Sequence, residues 1–218
     1  MSNLFDELKE FNETVGAIDE STLQEKFREL AKTFLYGGYI QVNEDYKVYI
    51  RTVEFYFHSE KESGIHDPIV YHRNGRWLEN VPYFPLMSLH AHESGFDITF
   101  EKDGEYRASA LIRSYEVKKN MKDNKGSLYL EWDPQKEMFV EHSEYKYNKQ
   151  STYLYYLLNG FSLRDVNNIK WIDSPTVMTK EITEKTRQNV FQSESEWKYI
   201  KTNKKCERKW SFTREEII

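Results

Sequence analysis

A carboxylate lies within a stretch of alternating apolar and polar residues that is typical of a β-strand. Residues 46–57 alternate as in a half-buried strand, and one face of that alternation carries Val48, Ile50, Thr52, Glu54 and Tyr56. A buried carboxylate must be paired, hydrogen-bonded or raised in pKa, because an unpaired buried charge is very costly. We therefore predict a strand over 46–57 and treat Glu54 as a candidate functional residue. Two structural alternatives are a Glu matched to an Arg for stability alone, and a bulge that turns Glu54 toward water.

A second predicted hairpin supplies a partner for this carboxylate. Residues 95–101 and 106–115 flank Asp103-Gly104, a dipeptide typical of a hairpin turn. The alternation of the second strand puts Ser109, Leu111, Arg113 and Tyr115 on one face. Arg113 is again a charge among apolar neighbours, and we predict that it pairs with Glu54.

The remaining elements favour an α+β fold in a single domain, built on a curved antiparallel sheet with flanking helices. Helices are predicted over 3–13 and from Ser21 to Gly37, with Ser21 and Gln24 as a capping box. Further extended segments and one helix are predicted at 39–43, 127–132, 138–141, 151–158 (the helix) and 170–172. We interpret residues 1–20 as an N-terminal helical extension and 21–218 as the single domain.

Composition narrows the class of protein. The chain has 218 residues, a formal charge of −5 and one cysteine, Cys206, which excludes an internal disulfide framework and a multi-cysteine zinc site. No apolar run is long enough to span a membrane and the N-terminus is acidic, so a soluble cytoplasmic protein is expected. Residues 185–214 carry nine Lys or Arg against three acids, interleaved with aromatics. That stretch is either a nucleic-acid-binding rim or a solvated face.

An irregular excursion from Phe57 to about Ser94 is rich in aromatics and histidines, which favours an ordered functional loop. Its end holds His90 and His92, an HxH pair that with His66 or Glu54 could bind a divalent metal. A surface that binds without catalysis is a further alternative. No glycine-rich phosphate loop and no GxSxG elbow is present, which argues against phosphoryl and acyl transfer.

Taken in order, several segments resemble the alkyladenine (3-methyladenine) DNA glycosylase family. Together with the helix that leads into the first of them, they fall in the family's order over residues 23–212, nearly the whole chain. The segments are FLYGGYIQV at 34–42, TVEFYF at 52–57 followed by His66, Arg73-Asn74, ALIRSYEV at 110–117, LLNGFSLRDV at 157–166, KWIDS at 170–174, TRQNV at 186–190 and SEW at 195–197. The resemblance implies an alkyladenine-DNA-glycosylase-like fold for residues 21–218.

The resemblance also implies a mechanism and its residues. The family flips a damaged nucleotide out of DNA, and an activated water displaces the base without metal or cofactor. Glu54 would be the general base, with Arg113 and the Val190 carbonyl holding the water. Tyr56 and His66 would line the base pocket.

Further residues would lie at the binding surface, and one position departs from the family. Arg73 and Asn74 would lie in the adjacent loop, with His90 and His92 near the substrate. Ser94 stands where the family has its intercalating tyrosine. The expected partner is nucleic acid or a nucleobase-containing ligand, and the alternative is a protein that binds such a ligand without excision.

Overall fold

The structure is a computed structural model of the 218-residue chain. It describes residues 3–16, 18–42, 46–67, 69–70, 72–74, 80–92, 95–119, 128–133, 138–142, 169–174, 181–187 and 207–214. Within these residues, two helices come first: α1 (Leu4–Thr14) and α2 (Glu20–Tyr36). Ten strands follow: β1 (Gly38–Val42), β2 (Tyr46–Ser59), β3 (Leu89–His92), β4 (Gly95–Thr99), β5 (Tyr106–Lys119), β6 (Leu128–Asp133), β7 (Met138–His142), β8 (Ile169–Asp173), β9 (Ile182–Lys185) and β10 (Ser211–Arg214).

The strands form one open sheet in which the described pairings are antiparallel. Its main path runs β3-β4-β5-β2-β1-β8, and β6, β7, β9 and β10 branch from it. The long strands β2 and β5 pair along their whole length and form its centre. The α+β class and the antiparallel sheet predicted from the sequence are therefore confirmed.

Helix α2 begins where the chain offers a strong cap. The Asp19 side chain accepts a hydrogen bond from the Thr22 amide at 2.8 Å, and its hydrogen bonds to Ser21 and Thr22 lower its pKa to about 2. The helix thus starts one residue before the predicted capping box, and Ser21 donates to Asp19 instead. Gly37 ends the helix, as predicted.

The two helices cover one face of the sheet. Phe27 of α2 stacks on Phe55 of β2 with ring centroids 4.6 Å apart, and Phe11 of α1 lies 5.8 Å from Phe27. Leu4, Leu8 and Phe11 of α1 belong to the same buried cluster as the sheet residues. The N-terminal helix is thus part of the main core.

The register between β2 and β5 breaks twice, and this changes which face Glu54 occupies. The pairing passes from Ile50 opposite Tyr115 to Thr52 opposite Ser114, and then to Val53 opposite Ile112. Arg51 on β2 and Arg113 on β5 are skipped, as in two compensating bulges. Val48 and Ile50 face the core before the break, and Val53 and Phe55 face it afterwards. The regular alternation predicted over 46–57 is wrong, and Glu54 lies on the face opposite to Val48 and Ile50.

That opposite face is also covered. Tyr56 and Leu111 on the sheet form a second apolar cluster with Val70 and Ile69. Both of the latter residues belong to the excursion between β2 and β3. The bulge alternative therefore describes the backbone correctly, but Glu54 does not face water: it is fully buried.

Candidate functional site

Glu54 is held by two donors on one of its carboxylate oxygens. Arg113 Nε donates to Glu54 Oε2 at 2.6 Å, and the Tyr56 hydroxyl donates to the same oxygen at 3.1 Å. The Arg113 side chain is 11% exposed and that of Glu54 is 0% exposed. The predicted pairing of Glu54 with Arg113 is present, and it satisfies the carboxylate without placing it in water.

Both donors keep their protons. Burial raises the pKa of Tyr56 well above its usual range, and the neighbouring Glu54 carboxylate raises it further. Burial would lower the pKa of Arg113, but Tyr56 and Glu54 outweigh that effect and the pKa rises. Around neutral pH the cluster therefore contains a neutral phenol and a charged guanidinium.

Arg187, which lies in the segment after β9, packs against this cluster. It is buried, forms an ion pair with Asp67 of the excursion and donates to the Phe55 carbonyl at 3.2 Å. Its guanidinium carbon lies 4.6 Å from the centre of the Tyr56 ring. One face of that ring is thus occupied by Arg187, and the orientation of Tyr56 toward Glu54 is fixed by packing.

A row of side chains extends from Glu54 across three further strands. Glu54 pairs with Leu111, Leu111 with Asp97 and Asp97 with His90 in the β-sheet register. Directly paired residues share a face, so these four lie side by side. His90 also packs on the Phe84 ring at 4.8 Å. Of the predicted substrate residues, His90 is thus on the same face as Glu54 and separated from it by two strands.

The other predicted binding residues, His66, Arg73 and Asn74, make hydrogen bonds with the excursion between β2 and β3 or with Arg208. His66 is exposed, and its ring nitrogen Nε2 lies 3.0 Å from the Glu62 carbonyl oxygen. The main-chain carbonyl of His66 accepts a hydrogen bond from Arg208 at 2.9 Å. Arg73 is buried and donates to the carbonyl of Asn74 at 3.3 Å. The Asn74 side chain accepts from the Val81 amide at 2.9 Å.

A second buried charge cluster anchors the excursion to β5. The fully buried Arg107 donates to Glu101 at 3.0 Å and to Glu60 at 3.1 Å. Glu101 also contacts the imidazole of His72. The guanidinium stacks 3.4 Å from the centre of the Tyr83 ring and donates to Val81, Pro82 and Asn74.

Part of the predicted basic rim is not on the surface. Trp210 and Phe212 are fully buried, and Phe212 pairs with Val53 in the main sheet. Arg187 is buried as well, in its ion pair with Asp67. For these three residues both interpretations, a binding rim and a solvated face, are wrong, because their side chains are buried.

Several predictions fall on residues outside the described ranges. These are Val190, Ser94, the 151–158 helix and the side chain of His92. Within the described residues, no three His, Cys, Asp or Glu side chains are grouped to hold a metal ion. Arg113, which pairs with Glu54, and Arg187, which lies against the Tyr56 ring, disfavour a further cation there. Neither helix of the described chain is long and apolar enough to cross a membrane.

Sequence reasoning did not single out Arg187, Asp67 and Asp97 as part of this site. Arg187 is 132 residues from Phe55 along the chain, and only the fold brings them together. Asp97 could have been found from the hairpin register, since it pairs with Leu111 two residues before Arg113.

The chain was compared with protein-family models, curated proteins and solved structures, and none of them matches it.

Proposed function

We propose that the protein hydrolyses N-glycosidic bonds in a nucleobase-containing substrate, with Glu54 as the general base. The observation that supports this function best is the fully buried Glu54 carboxylate, held by Arg113 at 2.6 Å and by the Tyr56 hydroxyl at 3.1 Å. Buried and preorganised carboxylates of this kind suit proton transfer from a positioned water. The choice of the N-glycosidic bond as the bond that is broken comes from the resemblance to alkyladenine DNA glycosylases.

The proposed step forms a C1′–O bond and breaks the C1′–N bond of the nucleoside. Glu54 takes a proton from the attacking water, and the leaving base keeps the bonding electron pair. The base then takes up a proton from solvent or from Glu54. No metal and no cofactor is needed for this balance of atoms and electrons.

Arg113 and Tyr56 have positioning roles in this proposal. Both donate to Glu54 Oε2, which fixes the plane of the carboxylate. Arg113 is also the one partly exposed group of the ion pair, and the proposal therefore puts the substrate on the side of Arg113. Tyr56 keeps its proton because its pKa is raised, and it therefore remains a donor as Glu54 gains and loses a proton.

A second candidate function is the binding of a nucleobase-containing ligand without excision. The direct contact between Arg113 and Glu54 favours it, because this ion pair already satisfies the carboxylate oxygen that would otherwise hold a water. The same buried face would then serve recognition alone.

A base-release assay separates the two functions. The protein is incubated with single- and double-stranded oligonucleotides that each carry one alkylated or deaminated purine, and abasic sites are then cleaved with alkali. Glu54→Gln should reduce strand cleavage by about 10²- to 10⁴-fold, the usual contribution of a general base.

Glu116→Gln is the matched control. Glu116 is also buried and paired with an arginine, Arg51, on the same sheet. We expect it to retain strand cleavage. Cleavage that persists unchanged in Glu54→Gln would contradict the proposed mechanism, and no cleavage by the wild-type protein on any substrate would favour the binding function.

A further inference from the structure

The outer face of β1, β2 and β8, on the opposite side of the sheet from the helices, carries lysines and tyrosines. Gln41 pairs with Lys47 on one side and with Lys170 on the other, so the two lysines lie in one row across three strands. The core-facing neighbours Ile40, Val42 and Val48 are fully buried. Lys47 is partly exposed and Lys170 is exposed.

Two aromatic rings lie next to this row. The rings of Tyr39 and Tyr49 are 5.3 Å apart, and both residues are partly exposed. The Lys47 amino group lies 4.9 Å from the centre of the Tyr39 ring. We name Tyr39, Lys47, Tyr49 and Lys170 the tyrosine-lysine face. It combines π surfaces with positive charge, the two features by which sheets bind unpaired nucleotides.

This face is continuous with the candidate site. Lys47, Tyr49 and Glu54 lie on the same side of β2, because the bulge at Arg51 moves the alternation by one residue. At about 3.3 Å per residue, the distance from Lys47 to Glu54 is roughly 20 Å. The Arg51–Glu116 ion pair lies between them and adds no net charge.

Helix α1 differs in charge from the tyrosine-lysine face. Helix α1, on the other side of the sheet, carries Asp6, Glu7, Glu10 and Glu13 against Lys9. An acidic helix repels phosphate, whereas the two lysines attract it. These charges favour binding of a polyanion at the tyrosine-lysine face over binding at α1.

We infer that the tyrosine-lysine face binds single-stranded nucleic acid, with bases stacked on Tyr39 and Tyr49 and phosphates paired with Lys47 and Lys170. A single strand fits better than a duplex, because stacking on tyrosine needs bases that are free of their partners. The inference rests on the proposed function in one respect only, which is that the bound strand would run toward Glu54.

The test is fluorescence anisotropy with labelled single-stranded DNA, single-stranded RNA and duplex DNA of the same sequence. The Glu54→Gln protein is used throughout, so binding is measured whether or not excision occurs. Two phosphate contacts predict that log K falls with log salt with a slope of about −1.4, and Lys47→Ala should reduce the slope by about 0.7. Tyr49→Val should weaken single-strand binding by about fivefold or more, and Tyr49→Phe should restore it.

Lys9→Ala is the control for charge, since it removes one positive charge from α1 instead of from the sheet. It should bind single strands as tightly as the parent protein. Equal binding by Tyr49→Val and Tyr49→Phe, or an unchanged salt slope in Lys47→Ala, would overturn the inference. So would tighter binding of the duplex than of either single strand. Single-strand binding without base release would retain this inference and reject the glycosylase.

Discussion

Removing the guanidinium of Arg107 should destabilise the protein more than most single substitutions. Arg107 is fully buried, and its ion pairs with Glu60 and Glu101 connect β5 to the excursion. The side chain of Glu101 is also fully buried, whereas that of Glu60 is 19% exposed. Replacing Arg107 with Met keeps much of the volume but leaves the Glu101 carboxylate in the protein interior without its main cation.

The size of the effect follows from these contacts. Breaking a buried ion pair by removing one partner costs about 3–5 kcal/mol, because the other charge stays buried. The lost hydrogen bonds to the carbonyls of Val81 and Pro82 add roughly 1 kcal/mol, since water can replace part of them. We therefore expect Arg107→Met to lower the free energy of unfolding by about 4–6 kcal/mol. Typical domains have only about 5–15 kcal/mol in total, so the variant should be marginally folded.

Urea denaturation followed by tryptophan fluorescence measures this change. The double variant Arg107→Met with Glu101→Gln identifies its cause, because it also removes the stranded charge. It should be more stable than Arg107→Met alone by about 2 kcal/mol. A loss below about 1 kcal/mol in the single variant, or a double variant less stable than the single one, would refute the role given to this cluster.

Two further predictions concern the excursion near Glu54. Burial, with help from Arg73 and His66, lowers the pKa of His58 to about 4. His58 is therefore neutral in the folded protein while an unfolded chain takes up a proton near pH 6.5, so stability should fall by up to about 3 kcal/mol as the pH drops from about 6.5 to about 4. His58→Asn, which retains an acceptor for the Asp67 amide, should flatten that part of a stability–pH curve; an unchanged curve would contradict this. Asp67→Asn leaves Arg187 with a neutral partner and should cost about 3 kcal/mol or more in urea denaturation, and a neutral effect would show that the pair contributes little.

Local sequence signals predicted most of the regular elements. The β4–β5 hairpin forms around Asp103-Gly104, where Gly104 has a positive φ of 69° that favours glycine. Helix α2 follows its apolar residues, and Leu23, Phe27 and Phe34 are fully buried. Such signals act over a few residues, so they can be recognised without knowing the tertiary structure.

The prediction of which β2 residues share a face was less accurate, because the register between β2 and β5 shifts twice. Neither Arg51 nor Arg113 is a residue type that marks a bulge, and both bulges depend on how two distant strands pair. Trp210 and Phe212 show the same limit. Their basic neighbours suggested a surface, but pairing of β10 with β2 places both aromatic side chains in the interior.

The two bulges also explain why the sheet contains two similar Glu–Arg pairs. Each skipped arginine reaches a glutamate on the opposite strand: Arg113 contacts Glu54, and Arg51 contacts Glu116. A backbone irregularity that redirects one long side chain is thus repeated in both strands, and the two shifts cancel so that pairing continues to Ser59. Both ion pairs therefore have the same structural cause, which is the bulge at their arginine.

The surroundings of the two pairs differ, and this difference bears on function. Glu54 has the Tyr56 hydroxyl as a second donor, and Arg187 packs on the ring of Tyr56. Glu116 pairs across the strands with Tyr49, which belongs to the tyrosine-lysine face. If ion pairing alone explained both glutamates, their Gln variants would change stability alike and base release not at all. A selective loss of base release in Glu54→Gln would then have to come from what surrounds Glu54 and not from the pair itself.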